Sequence, residues 1–441
     1  MQRLCLRIIL ASAIAMSAIL IAAGCRSAKK DDREFDRAGR TLTLQERARR
    51  QRNEQEAAEK RQLKRLQQAA EAANPAAKVE LGRLYYEGSD RVEQDLQVAV
   101  RWFQKAAERG NPAGQFNYAI CLEEGHGVEK DPEEAFKWFL KVAEAGVLPA
   151  QINVALTYEA QQDYERALRY WSLAAQHEHA GAMRKTAQYY ELGRGVQKNV
   201  ERAVAFYQRA AAAGDVRAQV RLANYYQAGQ GVPQDYARML SWLWLAAGQG
   251  DPEAQAKIGW AYQYGVGLNR NPEEAYEWYK RSAAAGYDQA QVALGNALLN
   301  GIGTDPDPEA AIPWFRRAAA KDNADAMFSL GVAYSLGDGV TRDPETALTW
   351  FLKAAEKKHV QAMYNLGHLY MHGLGTDRAP QEGLKWFRRA AAFDDPQALY
   401  ALGKAYLNGT GVEADKKQAA FYLRKAAEYG SDEALKLIEE L

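Results

Sequence analysis

The histidines are the residues of this sequence whose spacing comes closest to a reactive site. His368 and His372 are four residues apart, so a helix would place both imidazoles on one face, and His177 and His179 flank Glu178. Imidazole nitrogens bind Zn²⁺, but a zinc site needs at least three protein ligands. Neither pair has a third ligand nearby in a recognisable motif. We therefore expect no metal ion and no cofactor.

Other short motifs lack the residues that their chemistry requires. The repeated Gly-x-Gly strings are not preceded by a strand pattern and not followed by a Lys-Ser or Lys-Thr pair, which excludes a phosphate-binding loop. The string Asp305-Pro-Asp-Pro308 has neither the Gly nor the terminal Glu of a calcium loop. Acidic pairs such as Glu133-Glu134 mark helix starts, and no nucleophile has a recognisable supporting base. We predict that the protein is not an enzyme.

The amino-terminal segment has the pattern of a targeting sequence. Arg3 and Arg7 flank the start of an uncharged, mostly apolar run over residues 8–23, and small residues precede Cys25. This run is shorter than the about 20 apolar residues that a membrane-spanning helix needs. We expect a signal segment over residues 1–24.

The end of this run, Leu20-Ile-Ala-Ala-Gly-Cys25, resembles the lipoprotein box of bacteria. The resemblance implies that the chain is cut before Cys25 and that this cysteine is lipidated. It also implies the periplasmic face of the outer membrane, because Arg26 occupies the place where an Asp signals retention at the inner membrane. Each buried CH₂ group of a lipid anchor contributes about 0.8 kcal/mol, so two or three chains hold a protein at a membrane. An ordinary secretory signal is the alternative.

The segment from Cys25 to residue 73 predicts a charged tether. Residues 26–73 have Phe35 as their single aromatic residue, with 14 basic and 9 acidic side chains. Its early part is typical of disorder. From about Leu44 helix formers dominate, and Gly and Pro are absent. We expect a polar helix there that docks on the structure that follows.

An aromatic position recurs ten times from residue 74 onward. The spacing is 36 residues, with one interval of 32. The ten residues are Trp102, Trp138, Tyr170, Phe206, Trp242, Trp278, Trp314, Trp350, Trp386 and Tyr422. A small residue opens a predicted helix in each unit, as Ala326 does, and a second small residue follows five positions later, as Gly331 does. Small residues let two helices approach closely, so we expect helical hairpins whose core is filled by the repeated aromatic side chains.

The turn inside each unit has helix stop and start signals, which are most complete in the eighth unit. Gly337 can take the left-handed conformation that ends a helix. Asp343 is suited to cap the next helix, Pro344 to its first position, and Glu345 to the positive end of its dipole. The third unit, about residues 148–180, lacks the Gly-x-Gly turn and is four residues short.

The repeated pattern resembles the Sel1-like repeat, a relative of the tetratricopeptide repeat. Unit 325–360 shows the pattern almost whole: Ala-x₃-Leu-Gly-x₂-Tyr, then Gly-x-Gly-Val, then Asp, then Ala-x₂-Trp-Phe-x-Lys-Ala-Ala. The resemblance implies an all-α, right-handed superhelical solenoid of about ten hairpins. It further implies that the first helices line a concave face that binds proteins or peptides. We expect this solenoid over residues 74–441, with a half repeat from residue 431 as its cap.

We expect the partner-binding residues at positions whose residue type differs between repeats. Trp260 occupies a position that differs between units, so we expect it to be exposed, and residues three before and four after share its helix face. The candidates are Lys185, Gln188, Arg221, Asn224, Lys257, Trp260, Tyr264, Asn296, Asn365, His368 and His372. Exposed aromatic groups beside polar ones are typical of a peptide-binding surface. Ordinary scatter of surface residues is the alternative.

Charge argues against nucleic acid as the partner. The chain has a formal net charge of +1, and residues 74–441 carry 41 basic and 47 acidic side chains, so the repeat region is mildly acidic as a whole. We predict a non-catalytic, membrane-anchored scaffold that binds a protein or peptide in the bacterial cell envelope. The alternatives are a secreted or surface protein that engages host proteins, and an accessory lipoprotein of an exopolysaccharide export assembly.

Overall fold

The computed structural model describes residues 44–72, 74–89 and 92–439. Over these ranges the chain forms 22 helices, and its extended structure is limited to one isolated bridge between Ser89 and Val92. The prediction of an all-α fold is confirmed there. The chain divides into two compact units, of which one ends at Ala213 and the other begins at Gly214. The predicted signal segment 1–24 and the lipidation site Cys25 lie outside the described residues.

The described part of the first unit contains nine helices. They are α1 Leu44–Glu71, α2 Pro75–Glu87, α3 Leu96–Glu108, α4 Pro112–Glu124, α5 Pro132–Glu144, α6 Leu148–Ala160, α7 Tyr164–Gln176, α8 Ala180–Leu192 and α9 Val200–Ala212. Helix α1 packs on α2 through Leu63, Leu66 and Ala70, as expected for a polar helix with one thin apolar stripe. The remaining eight helices form four hairpins, α2/α3 to α8/α9.

The second unit contributes thirteen described helices. They are α10 Val216–Ala228, α11 Tyr236–Gly248, α12 Pro252–Tyr264, α13 Pro272–Ala284, α14 Asp288–Asn300, α15 Pro308–Ala319, α16 Ala324–Leu336, α17 Pro344–Glu356, α18 Val360–His372, α19 Pro380–Ala391, α20 Pro396–Asn408, α21 Lys416–Glu428 and α22 Asp432–Glu439. Six hairpins, α10/α11 to α20/α21, are followed by α22, which packs on α21 as the predicted half repeat. We call the even-numbered member of a hairpin its first helix and the odd-numbered member its second helix.

The repeated aromatic position is not the one that fills the core. Eight of its ten residues, Trp314 among them, are only partly buried, whereas Tyr170 and Trp386 are buried. The residue that follows is buried in every hairpin: Phe103, Phe139, Trp171, Tyr207, Leu243, Tyr279, Phe315, Phe351, Phe387 and Leu423. A Cβ atom added at Gly331 would lie 2.6 Å from the ring of Phe351. The small residue of the first helix therefore makes room for this following residue.

Six of the eight partly buried aromatic rings, and the buried Trp386, have a cation over the ring face. In α15 the guanidinium of Arg317 lies 4.5 Å from the ring centroid of Trp314. The same arrangement, three residues apart on the second helix, recurs in seven hairpins. A cation over an aromatic face contributes about 0.5–1 kcal/mol at exposed sites. The expectation that these rings fill the core holds only in part: Trp386 is buried, whereas Trp314 and Trp350 pack against the core from a partly buried position.

The turn signals operate as predicted, and the second glycine has a further reason. Gly337 ends α16 with φ of 89°, and the Asp343 carboxylate accepts hydrogen bonds from the amides of Glu345 and Thr346 at the start of α17. Gly339 has φ of 71°, and a Cβ atom there would overlap the carbonyl of Pro308 in the preceding hairpin. The Gly-x-Gly turn thus both ends a helix and fits against the neighbouring repeat.

Two departures from the repeat are absorbed locally. In the short third unit a three-residue turn replaces the Gly-x-Gly turn, and Gln162 takes a positive φ of 60°. Helix α15 continues past Pro313, whose side chain is exposed. The right-handed superhelix stays a prediction.

Candidate partner-binding surface

The candidate residues of the first unit lie on α8. The ammonium of Lys185 is 2.9 Å from the carboxylate of Glu159 on α6, and both side chains are partly buried. The same ammonium lies 5.7 Å from the ring centroid of Trp171. Gln188 is partly buried one turn further along. The ion pair of Lys185 thus joins two hairpins. Leu192, at the end of the same helix face, is exposed, with 57% of its surface in solvent.

In the second unit, Arg221 and Asn224 lie on α10. Arg221 is exposed, with its guanidinium 5.3 Å from the ring centroid of Tyr225. Asn224 is partly buried, and its Oδ1 has no hydrogen-bond partner among the described residues. A buried carbonyl oxygen without a donor is costly, and this oxygen is enclosed by the protein, so it offers no contact to a partner.

Helix α12 brings Lys257, Trp260 and Tyr264 onto one face, as predicted. The ring centroids of Trp260 and Tyr264 are 5.8 Å apart. Trp260 is partly buried rather than exposed, and its neighbours Gly259 and Ala261 are buried. Tyr264 is the exposed member, with 61% of its surface in solvent.

Helix α18 places His368 and His372 side by side, with ring centroids 5.9 Å apart and nearly parallel planes. Tyr364 meets His368 edge to face at 4.7 Å. Burial lowers the pKa of His368, and the charges of His372 and Lys404 lower it further, so this imidazole is neutral at pH 7. It is suited to accept or donate one hydrogen bond within an aromatic setting.

Asn365 and Asn296 complete the predicted set. Both are partly buried, on α18 and α14. Asn296 occupies the same place in its hairpin as Trp260 and His368, so one position carries an indole, an amide and an imidazole in different repeats. Variation of this kind is typical of an adaptable recognition surface.

The last residue of each first helix is more exposed than the position that Trp260 occupies. In the second unit these residues are Ala228, Tyr264, Asn300, Leu336, His372 and Asn408, and all six are exposed. Leu336 has 65% of its surface in solvent, and it was not among the residues predicted from the sequence. We call this set the first-helix edge.

His179 and Cys121 have structural positions. His179 caps α8, its Nδ1 accepting a hydrogen bond from the amide of Ala182 at 3.1 Å, which the sequence interpretation of His177 and His179 missed. Burial raises the pKa of the Cys121 thiol to about 12, so it is protonated at neutral pH. Among the described residues no group of three or more His, Cys, Asp or Glu side chains could hold a metal ion.

No helix in the described ranges combines the length and the apolar character that crossing a membrane requires. The tether helix α1 is long enough, with 28 residues, but it is polar.

The repeats match a known family along the whole array. The Sel1 repeat model matches ten consecutive segments between residues 75 and 431, with each segment covering one of the ten hairpins. The segments are 75–111, 112–147, 148–179, 180–215, 216–251, 252–287, 288–323, 324–359, 360–392 and 396–431. The short third segment is matched as well.

Solved structures agree with this match. A protective antigen present in uropathogenic Escherichia coli strains, displaying an SLR fold, is 31% identical, with a TM-score of 0.72 over 86% of this chain and 82% of that one. A Sel1 repeat protein from Oxalobacter formigenes is 28% identical, with a TM-score of 0.51 over 54% of this chain and 96% of that one. No curated protein matches the chain.

Proposed function

The chain belongs to the Sel1 repeat family, and from this premise we propose that it is a non-catalytic scaffold that holds a protein or peptide partner on its first helices. Sel1 repeat proteins bind protein partners and are generally scaffolds rather than enzymes.

The observation that carries the proposal is the first-helix edge of the second unit. Tyr264 and Leu336 expose 61% and 65% of their surface, and polar Asn300, His372 and Asn408 alternate with them in successive hairpins. Exposed apolar groups among polar ones provide the anchors and the rim of a protein interface. Trp260 and His368, one turn back on their helices, extend the surface inward.

We further propose that Cys25 anchors this scaffold to a membrane, on the periplasmic face of the outer membrane. The support is the lipoprotein-like string before Cys25 and the charged stretch that follows it. Loss of radiolabelled fatty-acid incorporation in Cys25→Ser would support the anchor. Equal incorporation in both proteins would contradict it.

A second candidate is a surface protein that engages a host. It is favoured by the likeness to the protective antigen of uropathogenic Escherichia coli, at 31% identity over most of both chains. Protease treatment of intact cells separates the two candidates, since a periplasmic protein is protected and a surface protein is cleaved.

The binding surface is tested by affinity capture from membrane extracts. The double variant Tyr264→Ala, Leu336→Ala should lose the partner, while Trp244→Ala, Leu245→Ala should keep it. The control pair is also exposed and apolar, with 40% and 53% of its surface in solvent, but lies on the second helix α11.

In a binding measurement with the purified partner, the Tyr264→Ala, Leu336→Ala variant should have an affinity lower by about 30-fold or more. This is the effect expected from the loss of one hot-spot residue. Equal recovery by wild type and by the first-helix variant would refute this placement of the site. Thermal melts of each variant show whether the fold is intact.

A further inference from the structure

The last second helix, α21, has an unusual charge. Its thirteen residues carry four basic and one acidic side chains, a net charge of +3. The other nine second helices range from −1 to +2. The repeat as such does not require this charge.

Part of the charge lies where it opposes the stability of the helix. Lys416 and Lys417 begin α21, at the positive end of its dipole, where cations are unfavourable. Six other second helices carry a glutamate at the position of Lys417: Glu133, Glu165, Glu201, Glu273, Glu309 and Glu345. A local electrostatic conflict of this kind is expected at sites that serve another purpose.

An exposed aromatic ring lies between these lysines and a third cation. Phe421, one turn after Lys417, has 57% of its surface in solvent, and Arg424 follows it by three residues. The corresponding residue of the other second helices is exposed in each: Arg101, Lys137, Arg169, Ala205, Ser241, Glu277, Pro313, Thr349 and Lys385. Phe421 is thus the one large apolar side chain at this outer position.

The three cations beside Phe421 lack an ion-pair partner in the part of the chain that the structure describes. Lys416, Lys417 and Arg424 are exposed and form no ion pair with a carboxylate of the described residues. Lys425 differs, since its ammonium is 2.9 Å from the carboxylate of Asp394. We call Lys416, Lys417, Phe421 and Arg424 the α21 patch.

We propose that the α21 patch binds an anionic lipid surface, with Phe421 entering the headgroup region and the three cations contacting phosphate groups. Lys417 and Arg424 are about 10 Å apart along the helix axis, so they reach different headgroups of one plane. Polybasic segments are attracted to anionic lipids, and an aromatic side chain among them enters the interface.

The unfixed cations favour a lipid surface over an acidic peptide. A peptide carboxylate is recognised by positioned donors, such as a held guanidinium, usually in a groove. No carboxylate of residues 44–72, 74–89 or 92–438 holds a cation of the patch, which lies on the exposed side of a single helix. A plane of many anionic groups needs no such positioning. The proposal is independent of the partner surface and of the Cys25 anchor.

The experiment uses the full chain with vesicles of phosphatidylcholine, alone or with phosphatidylglycerol. Hydrogen exchange of residues 416–428 is the local readout, because other segments of the chain can also meet a membrane. Residues 272–284, helix α13, are the internal reference. Cosedimentation measures partition.

Anionic vesicles should slow exchange in α21 but not in α13, and neutral vesicles should slow neither. The double variant Lys417→Gln, Arg424→Gln should lose this protection and reduce the anionic-dependent partition by about 30-fold at low salt. Phe421→Ala should reduce both effects. The matched control, Lys280→Gln with Lys385→Gln, removes two exposed lysines from other second helices and should retain both.

Unchanged α21 exchange with anionic vesicles would overturn the proposal, as would equal effects of the two double variants. Protection of α21 by soluble polyglutamate but not by anionic vesicles would also overturn it, in favour of an acidic peptide. Circular dichroism of each variant verifies that α21 stays helical.

Discussion

The second glycine of the turn allows a test of how neighbouring repeats hold each other. Gly339→Ala has two costs: an L-residue at φ of 71°, and a Cβ atom that overlaps the Pro308 carbonyl. Gly250→Ala has the first cost alone, since Gly250 has φ of 86° and nothing within 4 Å of an added Cβ atom. The left-handed conformation costs about 1–2 kcal/mol, offset in part by a stiffer unfolded chain.

The difference between the two variants measures the contact between repeats. Overlap with a backbone atom cannot be relieved by rotating a side chain, so we expect the overpacking cost of about 1–3 kcal/mol in Gly339→Ala alone. For a unit of this size, about 2–4 °C of melting temperature is lost for each kcal/mol. Gly339→Ala should therefore melt about 2–12 °C below Gly250→Ala.

Thermal melts followed by circular dichroism compare the two variants, and hydrogen exchange locates the change. Repeat arrays can unfold in parts, so exchange in α15 and α17 should rise in Gly339→Ala while exchange in α20 stays unchanged. Equal melting temperatures for the two variants would show that the overlap is relieved at no cost. That result would refute the assignment of the second glycine to the contact between repeats.

Two further predictions concern the core and the caps. Phe315→Ala should lower the free energy of unfolding by about 3–5 kcal/mol, and Trp314→Ala should lower it by less. The reason is that Phe315 is fully buried, while the indole of Trp314 is partly in solvent under Arg317. Urea titrations that give the reverse order would contradict the corrected assignment of the core. For the caps, the Thr346 hydroxyl and amide hold the pKa of Asp343 below its usual range. Its stabilisation is therefore present above the usual Asp pKa of about 3.9 and lost as pH falls below it. Asp343→Ala should melt below wild type at pH 7, and this gap should shrink at about pH 3; a gap of equal size at both pH values would count against the charged cap.

Most of the fold could be predicted from short-range signals. Asp343 and Pro344 start a helix and Gly337 ends one because caps depend on bonds within a few residues. Repetition of these signals made the number of hairpins countable, and the Sel1 repeat match confirms it. The shared helix face of Trp260 and Tyr264 also follows from spacing alone.

The candidate surface was less predictable because exposure depends on what packs against a helix. Trp260 was expected to be exposed and is partly buried, while Leu336 was not among the predicted residues and is exposed. Lys185 was predicted to bind a partner, but its ammonium is paired with Glu159, 26 residues away in sequence. A variable position shows that the repeat core does not need it, but not how much of it meets solvent.

By itself, the sequence determined how many hairpins there are, which family they belong to, and where cap residues such as Asp343 and Gly337 start and end a helix, because these depend on local bonds and on repetition. Only the tertiary structure decided which of two adjacent aromatic residues is the core and why the turn needs a second glycine. Both questions concern contacts between segments that are distant in sequence, as in Gly339 against Pro308. Such contacts do not produce a recognisable pattern in a single amino-acid sequence.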